Sequence, residues 1–141
     1  MKEGIIPVHI DDEISSLSAI VLNDDFYNFM MQGRRLVSEI SILDAAYLIP
    51  FKMFAWIDLT NRRAAGEHVN ERDLKKHKND VFRLLEIIPE GTSIAVNGLV
   101  REKVAEFLER IKEEPLALQQ IGVSISKEQG ISLIENIFIY K

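Results

Sequence analysis

The chain contains no cysteine among its 141 residues. Disulfide bonds, thiolate metal sites and cysteine nucleophiles are therefore excluded, and this composition suits a cytoplasmic protein. Long apolar runs are also missing, since no stretch of the sequence approaches the roughly 20 apolar residues that span a bilayer. The first residues include charges where a signal peptide would have its apolar core. We therefore expect a cytoplasmic protein that does not associate with membranes.

A general excess of positive charge is absent as well. The formal net charge is −5, which argues against a broadly basic nucleic-acid binder while leaving room for a local basic patch. The seven glycines are isolated from one another, and none opens a loop that would cradle a phosphate. Hydrophobic residues make up 47 % of the chain and charged residues 28 %, as in ordinary globular domains. We expect residues 1–141 to form one domain.

The first 43 residues predict a small mixed segment of short strands and one helix. Asn23 is placed to cap a helix that runs through Met31, and Gly33 is placed to end it. Three segments rich in β-branched and aliphatic residues have the character of strands, namely 5–10, 16–22 and 36–42. Three short strands cannot form a stable sheet alone, so we expect them to pack against the helices that follow.

Residues 44–141 predict a mainly helical part. Asp44 can cap a single turn, Pro50 suits the first position of the next helix, and Gly66 is expected to stop that helix. Asn70 is expected to begin a further helix that ends at 89–91. The next predictions are a short extended connection at 92–96, an amphipathic helix at 99–112 and a shorter helical piece from Pro115 to Gly122. A Ser126–Gln129 capping box is expected to start the last helix. Gly130 should weaken that helix, and Phe138 is expected to help dock it on the core.

These predictions give an α+β fold in which short N-terminal strands pack on a mainly helical C-terminal part. The helix that contains Pro50 is apolar on nearly every side, which is typical of a central, buried helix. Lys52 lies within it. A buried lysine is costly unless it is paired, so the sequence predicts an ion pair with Asp44, Asp73 or Asp80, a side chain that extends to solvent, or a contact with a phosphate group.

The segment 42–85 resembles the nucleotidyltransferase-like proteins of the abortive-infection (AbiEii) type, which include toxins of toxin–antitoxin pairs. The resemblance rests on the stretches SEISILDAAYLIPFK, IPFKMFAW and RRAAGEHVNERDLKKHKNDVFRLL, with ISSLSAIVLNDDFYNFM before them. It implies the C-terminal portion of a polymerase-β-like nucleotidyltransferase fold, in which a basic residue holds the triphosphate and carboxylates hold divalent metal. Such enzymes transfer a nucleotide from a nucleoside triphosphate to an acceptor by metal-assisted phosphoryl chemistry.

The family's catalytic motif is missing from this sequence. No Gly-Ser turn followed by a strand-borne Asp-x-Asp pair occurs, and the cluster of Asp11, Asp12 and Glu13 lacks that arrangement. The chain therefore resembles the C-terminal half of such an enzyme and is expected to be incomplete for catalysis. The resemblance implies Mg²⁺ and a nucleoside triphosphate only where a missing segment or a partner completes the site.

Six residues form the predicted binding site, without a metal ligand or an assigned catalytic residue. The predicted nucleotide- or phosphate-binding residues are Lys52, Arg63 and Lys76, and the predicted supporting carboxylates are Asp44, Asp73 and Asp80. Asp73, His77 and Asp80 recur at helical spacing, so one face of the helix can present all three. This triad is interpreted either as a metal site or as ordinary contacts, namely a helix-dipole contact of Asp73, an Asp73–His77 pair and a bridge from Asp80 to Lys52 or Lys76.

Two other functions remain open from the sequence. The first is a non-catalytic interaction module that pairs with a second copy or with a complementary nucleotidyltransferase half along an exposed apolar strand edge at 5–10. The second is an RNA-binding module that uses the basic run of Arg72, Lys75, Lys76 and Lys78, joined to Arg62 and Arg63 by the Gly66 turn. Trp56, four residues after Lys52, is interpreted as a core residue or as a stacking platform.

Overall fold

The computed structural model describes the backbone of residues 5–7, 20, 23–37 and 40–141, and the side chains of residues 20, 23–34 and 44–141. Within these ranges the fold is α+β and mainly helical, as the sequence predicts. None of the helices in the described ranges is both long and apolar enough to cross a membrane.

The N-terminal part forms a three-stranded antiparallel sheet in the order β1-β3-β2. Its strands are β1 (Ile5–Pro7), β2 (Arg34–Val37) and β3 (Ile40–Asp44). The prediction of one strand at 36–42 is wrong, because the segment contributes to two strands in which Val37 lies opposite Ile40. The alternation of apolar and polar residues continues through both strands, so this pattern alone gives no sign of the reversal.

The other two strand predictions fall largely outside the described residues. Of the segment 5–10, residues 5–7 are the strand β1 and 8–10 are not described. Of the segment 16–22, only Ile20 is described, and its backbone is helical. Ile20 is buried and its carbonyl accepts a hydrogen bond from the Asn23 N–H at 3.0 Å. The strand prediction is therefore wrong at Ile20.

The first helix, α1 (Asp24–Gly33), confirms the predicted boundaries. The Asn23 side chain caps it by accepting hydrogen bonds from the N–H groups of Asp25 at 2.9 Å and Phe26 at 3.2 Å. At the other end, Gly33 lies against the ring of Tyr47, where a Cβ atom would overlap the ring. Glycine here therefore allows α1 to pack closely on the next helix.

The second helix, α2 (Ala45–Ala64), is continuous through Pro50. Pro50 was predicted as the first residue of a separate helix, but it is the sixth residue of this one. The missing proline N–H removes a single bond to the Ala46 carbonyl, and a helix held in a core tolerates that loss near its N-terminus. Asp44 caps α2, as predicted, by accepting a hydrogen bond from the Ala46 N–H at 3.1 Å.

The third helix, α3 (Glu71–Leu85), begins after the predicted cap Asn70, whose side chain accepts bonds from Arg72 and Asp73. The elements that follow are β4 (Ile94–Val96), α4 (Gly98–Ile111), a 3₁₀ turn (Leu118–Ile121), α5 (Lys127–Ile137) and β5 (Phe138–Tyr140). The predicted capping box of α5 is present. The prediction that the last helix includes Phe138 is wrong, because that residue begins β5, which pairs parallel with β4.

Gly130 in α5 has a packing role that helix propensity does not reveal. A Cβ atom at this position would lie 2.6 Å from the ring of Phe82 on α3, and Phe82 is fully buried. Gly130 thus brings α5 into contact with α3. The local weakening of the helix, predicted from the sequence, accompanies this close approach.

The core is centred on α2, which contacts α1, α3 and α4. Residues of its first thirteen positions are nearly all buried, whereas its last turns are exposed. Phe107 of α4 joins the two central helices, with its ring centroid 5.4 Å from that of Trp56 on α2 and 6.4 Å from that of Phe82 on α3. Phe26 of α1 packs edge-on against Phe51 of α2 at 5.1 Å. The core thus holds α2 and α3 in a fixed register.

Candidate functional site

The turn at Gly66 sets α2 and α3 side by side in opposite directions. Gly66 has φ +90°, and the Glu67 N–H donates back to the Arg62 carbonyl at 3.0 Å, which is the hydrogen bond of a Schellman motif. Close to the turn, Arg63 contacts Glu71 across the two helices at 2.9 Å. Two to three turns further along, Lys52 contacts Asp80. This register decides which carboxylate of α3 reaches the buried lysine.

Lys52 and Asp80 form an ion pair in which Nζ lies 3.3 Å from Oδ2. The lysine side chain is 4 % exposed and the aspartate side chain 16 % exposed, so the pair is largely withdrawn from water. The second carboxylate oxygen, Oδ1, accepts a hydrogen bond from Arg83 at 3.0 Å. Of the three partners that the sequence left open for Lys52, the structure shows the pair with Asp80. Asp80 is thereby shared between one buried and one exposed cation.

His77 lies one turn before Asp80 on α3. Within the described residues, Lys52 and His77 are the only polar or charged residues that are buried. The His77 Nδ1 atom is buried and has no hydrogen-bond partner in the described part of the protein. Burial, and after it the nearby Lys52 ammonium, lower the pKa of His77 to about 4. His77 is therefore neutral near pH 7.

Asp44 and Asp73, the other predicted supporting carboxylates, have separate positions. Asp44 is the cap of α2 and precedes Lys52 by eight residues, or about 12 Å along the helix axis. Asp73 is exposed in the first turn of α3, where a negative charge favours the helix dipole. Asp73 lies close enough to His77 to oppose the lowering of its pKa. Asp80 forms an ion pair with Lys52.

Arg63 does not lie beside Lys52. The two residues are eleven positions apart in one helix, which separates them by about 16 Å along its axis. Arg63 instead donates to both carboxylate oxygens of Glu71, at 3.2 and 2.9 Å. Lys76 is exposed on α3 but lies near His77, where its charge helps to lower the histidine pKa. The structure thus brings Lys76 towards the Lys52 site and leaves Arg63 at the turn.

The basic run is partly neutralised by its neighbours. Arg62 contacts Asp58 at 3.0 Å, and Lys78 contacts Glu114 at 3.2 Å. The exposed side chains of Arg72, Lys75 and Lys76 form no ion pair with any residue that the structure describes. Along α3 as a whole, five cationic side chains accompany three acidic ones. The local excess of positive charge therefore belongs to α3 within an acidic chain.

Trp56 is a core residue. Its side chain lies between α2 and α4, it is 3 % exposed, and its ring meets Phe107 edge-on. The alternative of a base-stacking platform requires an exposed ring face. The structure therefore supports the core interpretation.

Two residues that sequence reasoning did not single out are important here. Arg83 lies three positions after Asp80, a helical spacing that indicates contact. Asp25 of α1 accepts a hydrogen bond from the Leu99 N–H at 2.8 Å. It thereby caps α4, whose own cap residue Asn97 makes no side-chain bond to the helix. No sequence spacing indicates a contact between positions so far apart.

The Lys52–Asp80–His77 group does not fit a magnesium ion. Mg²⁺ requires several oxygen ligands in an octahedral arrangement, and this group offers one carboxylate, which two cations already engage. More widely, the ranges described here hold no group of three or more His, Cys, Asp or Glu side chains arranged to bind a metal. The expectation that Mg²⁺ is held only with a missing segment or a partner stays a prediction.

Comparisons of the chain with protein-family models, with curated proteins and with solved structures find no match.

Proposed function

We propose that the chain is a nucleotide-binding, helical part of a nucleotidyltransferase-like protein and is not catalytic by itself. Lys52 is the cation that contacts the polyphosphate, and Asp80 positions it from α3. Lys76 adds positive charge near His77. The proposal joins the family resemblance of the segment 42–85 to the position of Lys52 between the two helices.

The observation that carries the proposal is the burial of a lysine whose carboxylate partner is shared. Each ion withdrawn from water costs several kcal/mol, and an apolar pair of similar size is often equally stable or more stable. Stability alone is therefore a weak reason for placing Lys52 and Asp80 between α2 and α3. Because Arg83 also contacts Asp80, at 3.0 Å, one carboxylate serves as the partner of two cations. Two cations, Lys52 and Arg83, thus contact one carboxylate, an arrangement that suits an anion.

The chemistry of the site is binding and orientation. A lysine ammonium is a compact charge with three N–H donors, which suits the oxygens of a phosphate group. The packed helices on both sides hold Nζ in place and exclude competing water, so each contact with the anion is stronger than at the surface. Nucleotide transfer also needs carboxylates that hold metal, which we assign to a second segment or a partner chain.

The proposal is tested by calorimetric titration with each nucleoside triphosphate and with inorganic pyrophosphate. Wild-type protein is compared with a Lys52→Met/Asp80→Asn double variant, which removes both buried charges together and therefore keeps the fold. Lys75→Met is the matched control, because Lys75 is an exposed lysine of α3, the helix that also carries Asp80. We expect saturable binding by the wild-type protein, no binding by the double variant, and less than about a threefold loss in the control.

Two results would contradict the proposal. One is the absence of heat for every ligand with folded wild-type protein. The other is an equal loss of affinity in the Lys75→Met control, because this would indicate general attraction to the basic face of α3. The second outcome would favour RNA or another polyanion, with an affinity that falls steeply as salt rises.

A second candidate function is pairing with another copy of the chain, which one observation favours. The sheet of β4 and β5 has two strands, so each strand keeps an unpaired edge within the described part of the fold. Ile139 is 39 % exposed and Tyr140 is 47 % exposed, on opposite faces of β5. The predicted apolar edge at 5–10 lies outside the residues whose side chains are described.

Sedimentation analysis tests this second function directly. Strand pairing predicts a molecular mass that rises towards that of a dimer with concentration, and Ile139→Lys should keep the protein monomeric by placing a charge on the strand edge. A monomer at all concentrations would exclude it.

A further inference from the structure

His77 is the buried polar group that the proposed function leaves unused. It is 8 % exposed, and its Nδ1 atom lacks a hydrogen-bond partner in the described part of the protein. A buried polar atom without a partner costs free energy, and most such atoms in proteins are satisfied. His77 lies one helical turn from Asp80 and near enough to Lys52 for the ammonium to lower its pKa, so this unsatisfied atom belongs to a residue beside the proposed anion site.

The charges around His77 are unevenly balanced. Lys52 faces it from α2, and Lys76, Asp73 and Asp80 act on it from its own helix. Of the two carboxylates, Asp80 raises the pKa of His77 more than Asp73 does. The charge of Asp80 is shared between Lys52 and Arg83. In the protein without an anion, His77 is therefore kept uncharged by burial and by Lys52. An added negative charge would reverse that preference.

We propose that His77 is the proton-linked contact of the polyphosphate site. When a polyphosphate anion binds beside Lys52, His77 takes up one proton from the solvent, and its Nδ1 N–H donates a hydrogen bond to a phosphate oxygen. The imidazolium carries a hydrogen on both ring nitrogens, so this donor exists whichever tautomer the neutral ring adopts. The inference rests on the proposed function and specifies how pH controls the same site.

Proton uptake gives the affinity a defined pH dependence. The pKa of His77 is about 4 in the free protein. A bound anion that restores it to about 6.5, the ordinary value of histidine, makes binding about tenfold tighter at pH 5.5 than at pH 8. We assign this pH dependence to His77, because its lowered pKa leaves it a proton to gain when the anion binds.

The experiment is a nuclear magnetic resonance titration of the histidine ring nitrogens in ¹⁵N-labelled protein, from pH 4.5 to 8. Spectra are recorded without ligand and with saturating inorganic pyrophosphate. The chain has three histidines, so the spectrum of a His77→Asn variant identifies the signals of His77. We expect a neutral His77 down to about pH 5 without ligand, and a pKa at least one unit higher with pyrophosphate.

Calorimetry of two variants gives an independent measurement. His77→Gln should abolish the part of the pH dependence that exceeds the protonation of pyrophosphate itself, whereas His68→Gln, at an exposed position, should leave it unchanged. Pyrophosphate binding without a change in the His77 signals would overturn this inference and leave the proposed function standing. Absence of any pyrophosphate binding would overturn the proposed function and this inference with it.

Discussion

Replacing Lys52 by methionine, Asp80 by asparagine, and both together will separate the attraction within the ion pair from the cost of leaving one buried charge alone. Nζ and Oδ2 are 3.3 Å apart, which at an effective dielectric constant of about 20 corresponds to an attraction of about 5 kcal/mol. Desolvation of the two ions offsets much of it, so the measurable effects are those of the single and double variants.

The two single variants should differ in a direction that the structure determines. Asp80→Asn leaves the Lys52 and Arg83 cations without this carboxylate, and we expect a loss of about 3–5 kcal/mol in the free energy of unfolding. After Lys52→Met, Asp80 keeps its contact with Arg83 at 3.0 Å. Its side chain is also more exposed to solvent than that of Lys52, 16 % against 4 %. We therefore expect a smaller loss, about 2–3 kcal/mol, for the lysine change.

The double variant removes both buried charges and should be more stable than the sum of the single effects implies. We expect it to lose about 2 kcal/mol or less, so that the two changes couple by about 3 kcal/mol or more. Arg63→Met is the control, because the Arg63–Glu71 pair has side chains 49 % and 58 % exposed. A pair so exposed should contribute less than about 1 kcal/mol.

Urea unfolding followed by tryptophan fluorescence is the assay. Trp56 is the single tryptophan of the chain and is buried against Phe107, so its emission reports loss of the core. With a typical slope of about 2 kcal/mol per M urea, a loss of 3 kcal/mol lowers the midpoint by about 1.5 M. Additivity of the two changes within about 0.5 kcal/mol would refute the reasoning, as would a greater loss for Lys52→Met than for Asp80→Asn.

Three further predictions use the same unfolding assay. Asp25→Ala should cost about 1 kcal/mol, because it removes the side chain that caps α4 from α1; an unchanged midpoint would mean that the cap contributes nothing. Gly130→Ala should destabilise the fold by about 1–3 kcal/mol because the new methyl group meets the Phe82 ring at 2.6 Å. The control Ser132→Ala, at an exposed position of the same helix, should leave the stability unchanged or increase it. Since the pKa of His77 is about 4 when folded and about 6.5 when unfolded, the unfolded chain binds the proton first, and the free energy of unfolding should fall by up to about 3 kcal/mol between pH 6.5 and 4. His77→Gln should flatten that slope, and an unchanged slope would contradict the assignment.

Local chemistry made the helix boundaries predictable from the sequence. The caps Asn23, Asp44, Asn70 and Ser126 act on N–H groups two or three residues away, and the structure shows each of those hydrogen bonds. Gly66 ends α2 as predicted because a positive φ is easily reached only by glycine. These features depend on a few neighbouring residues and are therefore visible in the sequence.

Features that depend on distant parts of the chain were missed. The strand Phe138–Tyr140 resembles the end of a helix in sequence, and its conformation comes from pairing with β4, more than forty residues earlier. Gly130 lowers helix propensity, and the packing that explains it involves Phe82 on another helix. In both places a tertiary contact outweighs the local preference.

The Lys52–Asp80 pair shows which part of the site the sequence predicts and which part depends on tertiary structure. Helical spacing places Asp73, His77 and Asp80 on one face of α3, but it does not say which of them is level with Lys52. That depends on the register of the two helices, which is set by the turn at Gly66. The Arg63–Glu71 contact lies at the end of the helix pair next to this turn. Aromatic packing around Phe107 then holds this register along the rest of the pair.

The sharing of Asp80 is the feature by which we propose that a buried ion pair also responds to an anion. A carboxylate with one partner neutralises that partner, and an incoming phosphate group gains little. Here the two oxygens contact different cations, Lys52 on the buried side and Arg83 on the exposed side. Two cations thus contact one carboxylate, and burial would strengthen their attraction for an anion that reaches Lys52. In the proposal made above, the neutral His77 gains a proton when the anion binds, so that one arrangement would couple stability, anion affinity and pH.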